Sequence, residues 1–286
     1  MKRGIIAISI SALLAAALLT GCGGRRTAYD SLYAELSEDL SASDPSVLEG
    51  RRIVIDPGHG GAYDGAMGID SLSEAEVNLG VALYLWGLLR EAGAEVHMTR
   101  SSDRDFLPED AWAEDTDLSS VLREDLAARI EKANEFEPEV FISIHHNSNI
   151  ALNRERNGVE IYYRGVDHDA SLELATDIHT HLARNLGITT TTIKPGNYYV
   201  LRNSSAGAAV LGEASYLSNP GVEEKLKLSA KQRLEAEAYF LGLAGYFSRG
   251  VPVITMTEPG SDTLTAPARL EFSIEPGAGI AVDPSS

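Results

Sequence analysis

The chain has a single cysteine, Cys22, in 286 residues, so it can form no intrachain disulfide and offers no thiolate pair to a metal. It is also poor in positive charge: 24 Lys and Arg against 42 Asp and Glu give a formal charge of −18. That balance argues against nucleic-acid binding, which needs a basic face for phosphates, and against electrostatic adhesion to anionic lipid. Long apolar runs are scarce too. The one present, Ile5 to Leu19 behind Lys2 and Arg3, falls short of the ~20 residues that cross a bilayer and predicts a cleaved export signal. No internal repeat of solenoid spacing is visible. The fold must therefore rest on its apolar core, and length allows roughly one or two domains.

Behind the apolar run, Leu19-Thr20-Gly21-Cys22 resembles the processing site of bacterial lipoproteins. Cleavage before Cys22 would free a thiol and an amine for acylation. Two or more acyl chains, each contributing about 0.8 kcal/mol per buried CH₂, anchor a protein stably where one does not. Residues 1–21 are thus expected to be a signal peptide and 22–49 a lipid-anchored tether, with Leu32, Tyr33, Leu36 and Leu40 at the spacing of a short amphipathic helix. The expected location is outside the cytoplasm, on a bacterial membrane and facing the periplasm or cell wall. Residues 50–249 form the expected catalytic domain. Residues 250–286 are a Pro/Thr/Gly-rich tail, expected to be mobile apart from a strand-like stretch at Arg269 to Ile274.

Within 50–249, strand and helix patterns alternate. Apolar and β-branched runs predict strands at 53–56, 95–99, 140–144, 158–163, 198–201 and 209–213. Helical periods predict helices over 74–91, 122–136, 171–186 and 223–248, stopped at Gly93, Pro138, Gly187 and Gly250. Such alternation predicts an α/β fold with a single mixed, largely parallel sheet and helices on both faces.

The chemistry gathers at strand ends. His59 follows Ile53-Val54-Ile55-Asp56-Pro57-Gly58, His145 closes Val140 to Ile144, and Glu213 follows Ala209-Val210-Leu211-Gly212. In open α/β sheets ligands bind beyond the carboxyl ends of the strands, so parallel strands would make these groups converge. Glu74 opens the helix after the first strand. Its neighbour Glu76 stands three residues after Ser73, as in a capping box, which leaves Glu74 the better candidate to face a cation. Two imidazoles and a carboxylate with an open fourth position are the ligand set of catalytic zinc, and that set predicts a hydrolase.

These landmarks, in their order, resemble the zinc-dependent N-acetylmuramoyl-L-alanine amidases of the bacterial cell wall. The resemblance rests on Ile53 to Gly61, Glu74-Ala75-Glu76-Val77-Asn78-Leu79, Val96 to Arg100, Phe141 to Asn147, and Glu213 through Leu217-Ser218-Asn219, and it covers residues 50 to 249. It implies His59, Glu74 and His145 as Zn²⁺ ligands and Glu213 as the catalytic carboxylate, general base and then acid. It also implies peptidoglycan as substrate, cut between N-acetylmuramic acid and L-alanine. The same ligand set would serve a zinc peptidase cutting within the stem peptide. A lipid-anchored wall-binding protein would need the ligands but not Glu213.

His146, where the family usually has a small residue, is a candidate substrate contact together with Asn147 and Arg202. Asn197, Tyr198 and Tyr199 fit the groove or strand-edge packing equally. Arg129 is expected in a structural ion pair, and Trp86 in the core with Val81, Leu85, Leu88 and Leu89. His97 reads as a packed strand residue and His168 as a loop residue, while His179 and His181 point to different faces of a helix. Eight acidic residues between Asp105 and Asp125 suggest an exposed loop. The stretch from Asn157 to Leu186 shows no inserted helix that would cover the metal, so no activator protein is expected to be required.

Overall fold

The structure, a computed structural model, describes residues 40–108, 117–149, 153–166 and 170–249, together with the backbone of 253–258 and 271–275. The signal, Cys22, His168 and all of the tether before Leu40 lie outside these residues. Among the described residues no helix is long and apolar enough to cross a membrane.

The strands are β1 (Arg52–Pro57), β2 (Glu95–Met98), β3 (Val140–Asn147), β4 (Val159–Tyr163), β5 (Thr191–Pro195) and β6 (Ala208–Tyr216). They form one sheet in the order β2-β1-β3-β6-β4-β5. β2, β1, β3 and β6 run parallel, β4 is antiparallel to β6, and β5 is parallel to β4. The helices are α1 (Glu74–Glu91), α2 (Leu118–Asn134), α3 (Ala170–Leu186), α4 (Tyr199–Asn203), α5 (Pro220–Leu226) and α6 (Ser229–Ser248).

Strand residues alternate between two cores, as the period of two requires. Ile53, Ile55, Ile142, Ile144 and Val210 face one side and pack with Val77, Val81 and Leu85 of α1, Leu174 and Ile178 of α3, and Tyr239 and Leu243 of α6. Val54, Phe141, Ala209 and Leu211 face the other, against Ile130 and Ala133 of α2 and Val200 and Leu201 of α4. The expected α/β sheet with helices on both faces is the observed one.

Several expectations need correction. The strand expected at 198–201 is instead the start of α4, and β5 lies earlier, at Thr191–Pro195. The β-branched run Thr190-Thr191-Thr192-Ile193 takes the sheet edge, while the Tyr199-Val200-Leu201 stretch coils to bury Val200 and Leu201. The helix expected over 223–248 is two. Asn219 caps α5 by accepting from Gly221 and Val222 N–H at 2.9 and 3.2 Å, with Pro220 in the first turn, and the chain then breaks at Lys227-Leu228 before α6. Trp86 is 41% exposed, not core: the buried stripe of α1 is Val77, Asn78, Val81, Ala82, Leu85 and Leu89, and Trp86 falls outside it beside exposed Leu83 and Tyr84. In the tail, β7 (Val253–Glu258) and β8 (Glu271–Glu275) pair antiparallel, so the predicted strand has a partner that the pattern did not reveal.

Candidate metal centre and active site

β1, β3 and β6 are adjacent and parallel, so their carboxyl ends deliver His59, His145 and Glu213 to one cleft. After Pro57 the chain reverses through His59 (φ 61°), Gly60 (φ 124°) and Gly61 (φ 62°). A left-handed backbone is uncommon for histidine and is held here by several bonds. Arg129 Nη2 donates to His59 O at 2.9 Å, while Gly61 and Ala62 N–H donate to Asp103 and Asp105 at 2.7 and 2.8 Å. Gly58 is obligatory for a different reason: a Cβ there would sit 2.2 Å from the His145 ring.

Glu74 is the first residue of α1. The N-cap Ser73 accepts from Glu76 N–H at 3.1 Å, the half of the capping box that frees Glu74 for the cleft. Buried at 5% exposure, Glu74 turns Oε1 to His59 Nε2 at 3.1 Å and His145 Nδ1 at 3.0 Å, and its Oε2 accepts from Ala66 N–H at 2.9 Å. Burial alone would raise this carboxyl, but the bonds and charges of His145 and His59 hold it well below the usual range. One ligand atom from each of the three residues lies within 4.8 Å of the others, and the two rings meet edge to face. Two imidazoles and one carboxylate at that spacing fit a zinc-sized cation.

Glu213 is opposite His145 in the β3–β6 register. Burial first, then the charge of Glu74, pushes its carboxyl up to about 8, and its Oε2 is buried without a hydrogen-bond partner. The cleft of about 370 Å³ is also lined by Tyr63, Tyr198, Tyr199, Asp125 and Asn147. Asn147 Oδ1 accepts from Ser148 N–H at 2.8 Å.

Of the candidate substrate contacts, Asn147 and His146 border the cleft, but the His146 ring turns away from it, and Arg202 lies elsewhere. His146 faces the opposite side of β3 from His145, because adjacent strand residues point to opposite faces, and its ring is fully buried. Its Nδ1 meets Asn78 Oδ1 and its Nε2 meets Glu235 Oε2, both at 2.8 Å. Arg202 is exposed on α4 and is not among the residues lining the cleft. Arg129 makes the expected ion pair, with Asp56 at 3.0 Å, and also donates to Pro57 O. His97 is packed, stacking on Phe136. Residues 109–116 of the acidic stretch lie outside the described residues; at its described ends Asp105 secures the His59 turn, and Asp125 is buried in α2, accepting from Phe106 N–H at 2.8 Å.

Sequence reasoning missed Asn78, Glu223 and Glu235. Asn78 Nδ2 donates to Gly58 O at 3.3 Å and to Glu74 Oε1 at 3.4 Å. Glu223 accepts from the N–H groups of Ile69, Asp70 and Leu72, in the loop that leads into Glu74. The available signals were polar residues at core-facing helical positions and i,i+4 pairs, Glu74 with Asn78 and Lys231 with Glu235.

Comparison with known proteins agrees with this geometry. The family described as N-acetylmuramoyl-L-alanine amidase matches residues 53–245. The chain belongs to that family. It is 35% identical over 202 residues, 70% of this chain and 81% of the relative, to the germination-specific N-acetylmuramoyl-L-alanine amidase of Bacillus subtilis. Among solved structures, the CwlD amidase of Clostridioides difficile, in complex with the GerS lipoprotein, superimposes with a TM-score of 0.63 at 27% identity, over 70% of this chain and 99% of that one. The catalytic domain of the amidase CwlV from Paenibacillus polymyxa gives a TM-score of 0.57 at 33% identity, over 68% of this chain and 97% of that one. The amidase fold of those structures is the mixed sheet described above.

Proposed function

We propose that this amidase hydrolyses the amide between N-acetylmuramic acid and L-alanine in peptidoglycan, with Zn²⁺ held by His59, Glu74 and His145 and with Glu213 as base and then acid. The observation that carries the reading is the convergence of the three ligand atoms in one cleft with a half-buried carboxylate whose Oε2 is buried and makes no hydrogen bond. Zinc in such a site supplies Lewis acidity and makes water acidic enough to be a nucleophile near neutral pH.

The chain's own residues supply the rest. Glu213 takes a proton from the attacking water and returns it to the departing amine, exchanges in which a carboxyl tuned toward neutrality is effective in both directions. Its burial keeps it free of competing donors. The charge of Glu74, which contributes to the rise of Glu213, is the charge a divalent cation would offset. His59 and His145 keep 20% and 16% of their side-chain surface exposed, which favours a site that works without an activator protein. Export and acylation at Cys22 would bring the site to the wall.

The test is digestion of purified peptidoglycan by residues 23–286, with and without chelator, and mass spectrometry of the products. Stem peptides with a free L-alanine amine, formed only with metal and absent for Glu213→Gln, are expected. Cleavage within the stem would move the reading to a zinc peptidase, and binding without cleavage would mean that an activator is missing or that the site does no chemistry.

A further inference from the structure

Glu160 on β4 stands directly opposite Glu213 in the antiparallel β4–β6 register, so the two side chains share the cleft face of the sheet. It is 6% exposed and accepts from four donors: Tyr216 Oη, Tyr162 Oη at 2.9 Å, Lys194 Nζ at 3.0 Å and Arg156 Nη2 at 3.1 Å. Two cations meet the single Glu160 carboxylate, in a chain of charge −18. Each cation is also seated on a tyrosine face, Lys194 Nζ 4.6 Å from the Tyr162 centroid and Arg156 Cζ 4.9 Å from that of Tyr216. Their side chains are 43% and 46% exposed. An ammonium has three N–H donors and a guanidinium five, so both keep donors for a second acceptor.

The position follows from strand order. His59, His145, Glu213, Glu160 and Lys194 come from β1, β3, β6, β4 and β5, successive across the sheet, so the cations lie on the side of Glu213 away from the imidazoles. Tyr162 meets Tyr198 of the cleft wall at 4.8 Å between centroids. On the amidase reading, on which this inference rests, the departing amine lies at Glu213 and the leaving peptide runs onward over β4 and β5. Adjacent strands are about 4.8 Å apart, which puts the two cations roughly 5–10 Å from Glu213. At about 3.5 Å per extended residue, a carboxylate on the second residue of the leaving peptide lies roughly 5–8 Å from the scissile nitrogen.

We propose that Lys194 and Arg156 form a subsite for the free carboxylate on the second residue of the leaving peptide. Glu160, Tyr162 and Tyr216 are positioning residues that hold the two cations in place. An anionic peptide approaching an acidic protein needs such a local cation pair, and its charge-assisted bonds would favour a free carboxylate over an amide at that position.

The experiment compares kcat/KM of the zinc-loaded full chain on N-acetylmuramoyl-L-alanyl-D-glutamine, whose second residue has one free carboxylate, and on its C-terminal amide, whose second residue has none. A preference of about tenfold or more for the free acid is expected. Lys194→Met or Arg156→Met alone should reduce the ratio, and both together should bring it within about twofold, as two charge-assisted bonds disappear. The ratio is internal to each variant, so it does not depend on how much active protein each yields. Equal kcat/KM on the two substrates in the unsubstituted protein would overturn the subsite, as would a preference that survives the double substitution. Hydrolysis of neither substrate would remove the amidase reading and the subsite with it.

Discussion

Glu223 is the sharpest place to test how the ligand loop is held. Its carboxylate, 1% exposed, accepts from Ile69 and Asp70 N–H at 2.7 and 2.9 Å and from Leu72 N–H at 3.3 Å, two residues ahead of Glu74. Hydrogen bonds to an ionised group are worth about 1.5–3 kcal/mol each. Ile69 is 44% exposed, so water can replace part of what is lost, and the lower bound for the two short bonds, about 3 kcal/mol, is the figure to use for Glu223→Ala. For a protein of this size that corresponds to a fall of roughly 6–12 °C in Tm. Gly68 supplies the internal check, because a Cβ there would lie 2.1 Å from Glu223 Oε1. A flexible carboxylate would step aside, but this one is fixed by three donors, so Gly68→Ala should destabilise by about 1–3 kcal/mol through overpacking. With Glu223→Ala already present, the three atoms nearest that methyl group are gone and Gly68→Ala should cost much less. Thermal melts of the two single variants and the double variant close the cycle, with an expected coupling of about 1–3 kcal/mol. If Gly68→Ala costs the same in both backgrounds, the carboxylate is not a clamp and the reasoning fails.

Three further outcomes follow from the site. Gly58→Ala changes no charge but drives a methyl group into the His145 ring; zinc affinity measured by chelator competition should fall tenfold or more, as when an outer-shell support is lost, and unchanged affinity would exclude His145 as a ligand in this geometry. Arg129→Met leaves the buried Asp56 carboxylate without its cation and should destabilise by about 3–5 kcal/mol in denaturant titration; a loss below about 1 kcal/mol would show that Thr99 and Ser143, which also donate to Asp56, suffice. Glu213 is raised from 4.5 to about 8 by burial and Glu74, so the folded metal-free protein keeps a proton that the unfolded chain releases. That contribution is full below about pH 4.5 and is lost as the pH rises through about 8. Tm of the metal-free protein should therefore drop between about pH 5 and 9, with a smaller drop for Glu213→Gln; parallel curves would show that Glu213 is not buried as described.

The parts of the fold legible in the sequence are those written in local pattern. Ile53 to Pro57 and Val140 to Ile144 are β-branched runs ended by turn or polar residues, and α1 begins and ends where Ser73 and Gly93 predict. The strand-end rule then brought His59, His145 and Glu213 together without coordinates. What was not legible depends on contacts between distant segments. Tyr198-Tyr199-Val200 has strand-like composition, and only the apolar surface of Phe141 and Ala209 makes a helix the better way to bury Val200 and Leu201. Trp86 looks like core by residue type, yet the helix phase set by Val81, Leu85 and Leu89 turns it outward. Glu223 was hidden, and Glu235 was signalled only by its i,i+4 partner Lys231, because a carboxylate on a helix is ordinarily solvated. Their donors lie 151 and more residues away for Glu223 and 89 away for the His146 contact of Glu235.

His145 and His146 show how one dipeptide serves both sides of the sheet. His145 turns to the cleft, while His146 turns to the core that α1 and α6 cover. Asn78 Nδ2 is directed at two acceptors, Gly58 O and Glu74 Oε1, so the atom it presents to His146 is its oxygen, and His146 Nδ1 must carry a hydrogen. The other ring nitrogen faces Glu235. Burial alone would raise that carboxyl, but Lys231 and His146 hold it down to about 2, so it too can only accept. The buried ring thus sits between Glu235 on one side and Asn78 on the other, with Asn78 bridging it to Glu74. The row Lys231, Glu235, His146, Asn78, Glu74 ties α6 through β3 to the first turn of α1. Each member is nearly fully buried and in contact with the next, the arrangement in which buried polar groups fix geometry. The carboxylate at the cleft end of that row is thus oriented from behind by Asn78, while the bonds and charges of His145 and His59 hold it below the usual range against its burial.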